Sequence, residues 1–202
     1  MGKNELSQRT IWQDISGVNA ANAEQNLYQV FHEYFKDTKY VLHEKPKHLK
    51  NLYAKVILSD EVLGQIFNPQ IDIETTQWGL SPDFAIENTK TKKILFGEIK
   101  RQDGWVEGKD PKDGRGNAHE RLCKLFTPGL MKTYRKVGKI KSKKILPFWV
   151  VFQGDITRDP KRVREISFWF DKFKHNYFMW RPNQSGDCLI EHFVSHLKSY
   201  ID

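Results

Sequence analysis

Two acidic residues and a lysine stand at a spacing that could support phosphodiester chemistry. Asp83 precedes Glu98 and Lys100, and a polar segment at residues 88–91 separates the two stretches. Such a segment is typical of the turn in an antiparallel hairpin. With a loop of two to four residues, paired positions have numbers that sum to about 179 to 181, which sets Asp83 opposite residues 96–98. Because paired side chains lie roughly 5 Å apart and diagonal ones within about 8 Å, the two carboxylates could share one cation.

A pair of carboxylates in a partly buried place is costly unless a proton or a cation compensates their repulsion. Mg²⁺ prefers oxygen ligands and accepts one or two carboxylates together with water and phosphate oxygens. The ammonium of Lys100 could then hold the attacking water and steady the negative transition state. The pattern therefore predicts a metal-dependent phosphodiesterase. The alternative is a surface hairpin in which Glu98 and Lys100 only solvate the end of a strand.

Hydrophobic periodicity predicts the elements that position these side chains. In residues 93–101, alternation puts Leu95 and Ile99 on one face of a strand and the charged Glu98 and Lys100 on the other. Further strands are predicted at residues 83–87, 144–153 and 177–181, and helices at residues 19–36, 48–67, 117–126, 160–175 and 189–201, with a break at 127–129. This order predicts an α/β fold with a mixed central β-sheet flanked by helices. No linker or repeat interrupts the chain, so we expect a single domain over residues 1–202.

A second set of polar residues, within residues 113–121, could read DNA bases. Two glycines stand there beside polar residues, just before a predicted helix, so the backbone could approach another surface closely. Arginine pairs with guanine and asparagine with adenine in a major groove, which suits Arg115 and Asn117 to neighbouring bases. Ala118 could touch a thymine methyl group, and Arg121 shares the helix face of Asn117.

The alternative for this segment is structural. Asn117 is a favourable helix N-cap and Arg121 would then be a solvated helix charge. We expect His119 and Glu120 to be mostly structural. His119 and Cys123 are four residues apart, but no second ligand pair stands at metal spacing, so no zinc site is expected.

Composition favours a polyanionic partner. The 33 lysines and arginines exceed the 25 acids by eight, which points first to nucleic acid and second to an anionic membrane surface. Residues 132–144 hold seven basic residues and no acid, and they could line phosphates or form a solvated face. The two cysteines suit a reducing compartment, and no apolar stretch approaches the ~20 residues of a membrane span. Without an apolar leader, the chain is expected in the cytoplasm, with no small-molecule cofactor.

Three pieces of the sequence together resemble one family of nucleases. They are Pro82-Asp83, Glu98-Ile99-Lys100 and Gly116-Asn117-Ala118-His119-Glu120-Arg121. The first two match the PD…(D/E)xK catalytic signature, and the third is similar to the base-reading element of the EcoRI-like type II restriction endonucleases, which in that family recognises a central AATT. The confident matching covers residues 81–121.

The resemblance implies a restriction-endonuclease-like core and a homodimer that cuts a palindromic DNA duplex. It implies that Asp83, Glu98 and the Ile99 carbonyl hold Mg²⁺, with Lys100 beside the attacking water. The string that begins at Gly116 then supplies the readers of the inner AATT, which are Asn117, Ala118 and Arg121.

Arg115 stands where the EcoRI enzyme has a mostly apolar stretch, and an arginine there favours an outer guanine. The resemblance implies the hexamer CAATTG, cut after its first base to leave 5′ overhangs. Two other functions stay open at this point. A structure-selective nuclease such as a junction resolvase would retain the carboxylates without needing Arg115 and Asn117. In a non-enzymatic DNA-binding regulator, the acidic pair would be only structural.

Overall fold

One mixed sheet organises the chain. The computed structural model describes residues 21–65, 77–102 and 119–202. Its strands are β1 (Tyr40–Glu44), β2 (Phe84–Asn88), β3 (Lys93–Arg101), β4 (Phe148–Gln153) and β5 (Tyr177–Trp180), which lie in that order across the sheet. β1, β2 and β3 pair antiparallel, whereas β3, β4 and β5 pair parallel. The predicted hairpin is therefore confirmed, as is the mixed character of the sheet.

The helices cover both faces of this sheet. They are α1 (residues 21–35), α2 (Asp60–Gln65), α3 (Pro128–Gly138), α4 (Pro160–Phe170) and α5 (Gly186–His196). α1 and α5 pack on the face that carries Leu95 and Ile99, while α3 and α4 pack on the face that carries Ile94 and Phe96. β3 thus divides its apolar side chains between two cores, as its alternation predicts. Across the described residues, no helix is long and apolar enough to cross a membrane.

The predicted helix at residues 48–67 is wrong. The described part of this segment holds a 3-10 turn at Tyr53–Lys55 and the short α2, with no buried side chain in either, and residues 66–67 lie outside the described residues. In a continuous helix the Tyr53 N–H would donate to the Leu49 carbonyl. Instead it donates to the Trp78 carbonyl at 2.7 Å, and the Leu49 carbonyl accepts from the Leu80 N–H at 3.0 Å. Tertiary pairing with residues 78–80 therefore replaces the helical hydrogen bonds.

Other boundaries also differ from the prediction. β4 begins at Phe148, four residues later than predicted, and α4 and α5 each end early and continue as a 3-10 turn. The break at residues 127–129 is present, but Pro128 there also starts α3, a helix that the sequence analysis did not predict. Proline is favourable in the first turn of a helix because no intrahelical partner is lost there. The basic run at residues 132–144 therefore lies partly on a helix.

Asn176 holds two elements together inside the core. Its side chain is buried, its Oδ1 accepts from the Leu146 N–H at 3.0 Å, and its Nδ2 donates to the carbonyls of Leu146 at 3.0 Å and Phe148 at 2.6 Å. This amide therefore takes the place of a strand neighbour for the chain entering β4. Hydrophobic patterning gives no signal for such a residue, because an asparagine before a strand is ordinarily a turn residue.

Replacing Asn176 with alanine should destabilise the fold. Loss of three hydrogen bonds leaves buried backbone groups of Leu146 and Phe148 unpaired, and the expected loss in free energy of unfolding is about 2 to 4 kcal/mol. Urea denaturation followed by circular dichroism measures it. Asn183→Ala, at an exposed position, is the matched control and should change the same quantity by less than about 0.5 kcal/mol. Equal stabilities of the two variants would contradict this role for Asn176.

Candidate active site

The register of the hairpin brings the predicted catalytic residues together. Phe84 pairs with Gly97, which places Asp83, just before β2, next to Glu98. The Lys100 Nζ donates to Asp83 Oδ2 at 3.0 Å, to Glu98 Oε2 at 2.7 Å and to the Ile99 carbonyl at 3.0 Å. One ammonium therefore contacts all three groups that the sequence analysis assigned to metal binding. The paired numbers in β2 and β3 sum to 181, the upper end of the expected range.

Hydrogen bonds to both the side chain and the backbone carbonyl of Asp83 fix its position. Its Oδ2 accepts from the Ile99 N–H at 2.8 Å, which ties it across the end of the hairpin. Its carbonyl accepts from the Tyr28 hydroxyl at 2.7 Å, from α1, and from the Lys45 N–H at 3.0 Å, just after β1. Three neighbouring elements thus determine where this carboxylate lies.

Gly97 makes room for an aromatic ring beside the site. A Cβ atom at this position would lie 2.0 Å from the ring of Phe84, its partner in β2. Such an overlap would force the ring, and with it the hairpin next to Asp83 and Glu98, to shift. A glycine inside a strand weakens it locally, but here it permits the close packing of an aromatic ring across the sheet.

Burial makes the site electrostatically demanding. Glu98 is only 4% exposed. Burial raises the pKa of the Glu98 carboxyl and the nearby Asp83 raises it further, which outweighs the lowering effect of Lys100. Burial by itself would lower the pKa of Lys100, but Glu98 and Asp83 together outweigh it and the net shift is upward. The lysine is therefore held charged between two acids, one of which is costly to ionise.

The donor set suits a hard divalent cation. Oε1 of Glu98 is buried and has no hydrogen-bond partner among the described residues, so this oxygen can accept a further ligand. Two carboxylates and the Ile99 carbonyl are all oxygen donors, the type that Mg²⁺ takes together with water and phosphate oxygens. Within the described ranges, no cluster of three or more His, Cys, Asp or Glu side chains could hold a metal. Any cation at this site would thus be completed by water or substrate.

The predicted base readers fall mostly outside the described residues. Arg115, Gly116, Asn117 and Ala118 lie there, so the structure places none of them. Arg121 is exposed on a 3-10 helix, Glu120–Phe126, whose Leu122 and Leu125 are buried. The described part of the predicted helix is thus wound more tightly than an α-helix, but it has the inward apolar side and the outward arginine that were expected.

Several residues near the site were not singled out as functional from the sequence. His119 is buried and bonded to Gln102 and Glu165, whereas Cys123 is exposed. Tyr134 of α3 meets Phe96 edge to face, and its buried hydroxyl has no hydrogen-bond partner among the described residues. Burial raises the pKa of Tyr134, and the negative Glu98 adds to this. The position of Tyr134 within a basic run gave no signal for a core residue.

One arginine of the basic run has a structural partner. The Arg135 guanidinium donates to the carbonyls of Ser142 and Ile145, at 2.5 and 2.8 Å, and so closes the loop that follows α3. Arg135 is therefore committed to holding this loop rather than to contacting phosphates. The segment at residues 132–144 is thus only in part a solvated basic face.

A polar cavity of about 540 Å³ opens beside the same end of the sheet. Arg101 of β3, Gln153 of β4 and Arg181 just after β5 contribute to its lining. As lined by the described residues, the cavity has no carboxylate. Amide and guanidinium groups there suit an anionic partner.

Comparisons with known proteins identify the family of this chain. A family model described as type II restriction enzyme MunI matches residues 1–202. A curated type II restriction enzyme MunI from Mycoplasma sp. is 70% identical over 202 residues, 100% of each chain. The crystal structure of MunI restriction endonuclease in complex with cognate DNA matches with a TM-score of 0.82 at 70% identity, covering 95% of this chain and 97% of that one. The predicted restriction-endonuclease-like fold is confirmed. This chain belongs to the family of the type II restriction enzyme MunI, whose members are site-specific deoxyribonucleases.

Proposed function

We propose that this chain is a Mg²⁺-dependent endonuclease that cuts both strands of CAATTG and leaves 5′ overhangs. The observation that carries the proposal is the contact of one ammonium, that of Lys100, with both Asp83 and Glu98 at the end of a hairpin. Membership of the MunI family supports the substrate class, since the related crystal structure holds cognate DNA.

Asp83, Glu98 and the Ile99 carbonyl are the residues that would hold Mg²⁺. When bound, such an ion supplies Lewis acidity at the phosphoryl oxygens and lowers the pKa of a coordinated water. The buried Oε1 of Glu98 supports this assignment, because it has no partner among the described residues and an anionic oxygen without a donor is otherwise unfavourable there.

Lys100 is proposed to orient the attacking water. Its ammonium donates its three protons to Asp83, Glu98 and the Ile99 carbonyl, so its position is set before substrate arrives. With a cation bound to these oxygens, Lys100 would have one of the protons free for the water. The water oxygen forms a bond to phosphorus and gives up a proton to solvent. The bond from phosphorus to the 3′ oxygen breaks, and that oxygen takes a proton from solvent to leave as a 3′ hydroxyl beside a 5′ phosphate. The fixed positive charge of Lys100 offsets the negative charge that builds on the phosphoryl group.

The residues proposed to read the bases come after the catalytic strand in the sequence. Arg115 would read the outer guanine, and the string that starts at Gly116 would place Asn117, Ala118 and Arg121 against the inner AATT. The exposed side chain of Arg121 supports this proposal, since it is available to a groove.

A palindromic site requires two-fold symmetry in the protein, so the active form is proposed to be a homodimer with one catalytic hairpin per strand. Each subunit would act as a single domain over residues 1–202, the range that the family model matches. We place the enzyme inside the bacterial cell, where its DNA substrate lies.

The two other functions considered from the sequence are not favoured. Family membership identifies an enzyme, which argues against a non-enzymatic regulator, and a site-specific one, which argues against a junction resolvase. Digestion of plasmids of known sequence in Mg²⁺ discriminates the cases. Discrete bands whose ends map to CAATTG support the proposal, whereas cleavage only at branched DNA or no cleavage would overturn it.

Neutralising the site should abolish cleavage. Asp83→Asn and Glu98→Gln each remove a ligand charge while keeping the size of the side chain, and the single-turnover cleavage rate should fall by about 10³-fold or more. Glu87→Gln is the matched control, since Glu87 lies in the same hairpin and pairs with His43. It should cut at nearly the wild-type rate. Wild-type cleavage by either site variant would refute the assignment.

The same replacements should strengthen DNA binding in the absence of metal. Two carboxylates beside one ammonium leave a net negative charge that repels the scissile phosphate. Gel-shift titrations in EDTA should therefore show that Glu98→Gln prefers CAATTG over unrelated DNA more strongly than the wild type does. Ca²⁺ should raise the wild-type preference toward that of the variant. A wild-type preference that is already high in EDTA would speak against this repulsion.

Arg115→Ala should relax discrimination at the outer base pair. Loss of one bidentate contact to guanine costs about 1 to 3 kcal/mol, or roughly 5- to 150-fold in the ratio of kcat/KM between CAATTG and GAATTC. Arg158→Ala, at an arginine paired with Asp155, is the control and should keep the ratio. Equal cleavage of all outer-pair variants by the unmutated enzyme would exclude Arg115 from this role.

A further inference from the structure

A buried histidine holds the two ends of the proposed base-reading segment together. Residues 103–118 start directly after Gln102 and end directly before His119. The His119 N–H donates to the Oε1 of Gln102 at 3.2 Å, and the Gln102 Nε2 lies 3.2 Å from the His119 Nδ1. The His119 side chain is 0% exposed. The end of β3 and the start of the 3-10 helix are therefore joined by these hydrogen bonds between Gln102 and His119, which we call the clasp.

The other side of the His119 ring is held by α4. Its Nε2 lies 3.0 Å from the Glu165 Oε2, and the ring stacks on Trp169 with an interplanar angle of 16°. Arg162 also donates to Glu165, at 2.9 Å. The hydrogen bond from Arg162, together with that from His119, lowers the pKa of Glu165 and keeps this acceptor ionised.

The His119 ring has hydrogen-bond partners on both sides in either neutral tautomer. With its proton on Nδ1, it donates to the Gln102 Oε1 at 3.2 Å and its Nε2 accepts from Arg162 at 3.1 Å. With its proton on Nε2, His119 donates to Glu165, while its Nδ1 accepts from the amide of Gln102. A flip of the ring would break both bonds. The orientation of His119 is therefore specified from two sides, which is more than filling space in the core requires.

The clasp is continuous with the catalytic strand. Gln102 lies two residues after Lys100, and its N–H donates to the Gln153 carbonyl at 2.9 Å, which extends the pairing of β3 and β4. On the other side, Asn117 and Ala118 directly precede His119. His119 thus connects the strand that carries the catalytic residues to the string that would read the inner base pairs.

We propose that His119 is a positioning residue for sequence discrimination. This inference rests on the proposed function. Through Gln102 and Glu165 it fixes the points at which the chain leaves β3 and enters the 3-10 helix that carries Arg121. Bidentate contacts to bases demand narrow geometry, and a displacement of about 1 Å far from the chemistry can cost on the order of 100-fold in rate. Only correct base contacts benefit from this fixed position. Loss of the position should therefore slow cleavage of the cognate site more than cleavage of other sites.

The test compares His119→Phe with His119→Gln. Phenylalanine keeps the stack on Trp169 but loses the bonds to Gln102 and Glu165, whereas the amide of glutamine can still donate to Glu165. Each protein is assayed for kcat and KM on CAATTG and on sites with one altered base pair. His119→Phe should lower the ratio of kcat/KM between these substrates by about 10- to 100-fold, mainly through slower cleavage of CAATTG. His119→Gln should recover part of this ratio.

Two further variants keep the test decisive. Cys123→Ala, an exposed position on the same 3-10 helix, is the matched control and should keep the wild-type ratio. Glu165→Ala removes a partner of the ring at a partly exposed position, so it serves if His119→Phe does not fold, and it should lower the ratio in the same direction. Thermal denaturation establishes which variants are folded.

A merely structural role predicts a different result. In that case folded His119→Phe or Glu165→Ala would melt at a lower temperature but discriminate as well as the wild type, which would overturn the inference. Failure of the wild type to cut CAATTG would instead overturn the proposed function. If the wild type cuts a different sequence, the same ratio measured on that sequence decides the role of His119.

Discussion

The candidate active site depends on holding two carboxylates, Asp83 and the buried Glu98, close together. Glu98 is almost fully buried, and Asp83 lies within reach of the same ammonium. Like charges at such a distance destabilise a protein unless each is compensated by an opposite charge or by hydrogen bonds. Lys100 supplies the charge, and the Ile99 N–H supplies a hydrogen bond to Asp83. This arrangement is held by the hairpin register, by the glycine that leaves room for the Phe84 ring, and by the parallel strand β4, which pairs with β3.

What the sequence could predict is local. Alternation in β3 assigns its two faces correctly, because burial on both sides of a central strand leaves a period-two pattern, and the polar turn then fixes the register within two residues. The alternation and the turn both depend only on residues that are close together in the sequence. The misassigned segment at residues 48–67 shows the limit, because its backbone bonds to residues 78–80 instead of to itself. The structural roles of Asn176 and His119 could not be predicted for the same reason, since both depend on hydrogen-bond partners that are 17 to 46 residues away in the sequence.

Under the proposed function, the catalytic residues and the base-reading string are joined through one strand. The strand that carries Glu98 and Lys100 continues into Gln102, and the segment that follows returns to the sheet at His119. The proposed readers are therefore anchored to the same backbone as the proposed catalytic groups. Motion of the chain at His119 relative to β3 requires breaking hydrogen bonds to Gln102 or Glu165. Specificity on such a scaffold comes from rigidity as much as from the identity of the base contacts.

The distribution of charge places a further demand on recognition. The chain carries a net charge of +8, which attracts DNA over long distances without regard to sequence. The site itself has two acids and one ammonium, so its local charge is opposite to that of the chain and repels a phosphate at short range. The net positive charge therefore concentrates the protein on DNA, whereas the negative charge of the site opposes binding of a phosphate beside Lys100. Seating it requires compensation, by a cation among the oxygens or by base contacts that form only at the correct sequence. Under the proposed function, such a site discriminates twice, because the repulsion that would select against arbitrary DNA would also keep Lys100 paired with Asp83 and Glu98 until the correct duplex is bound.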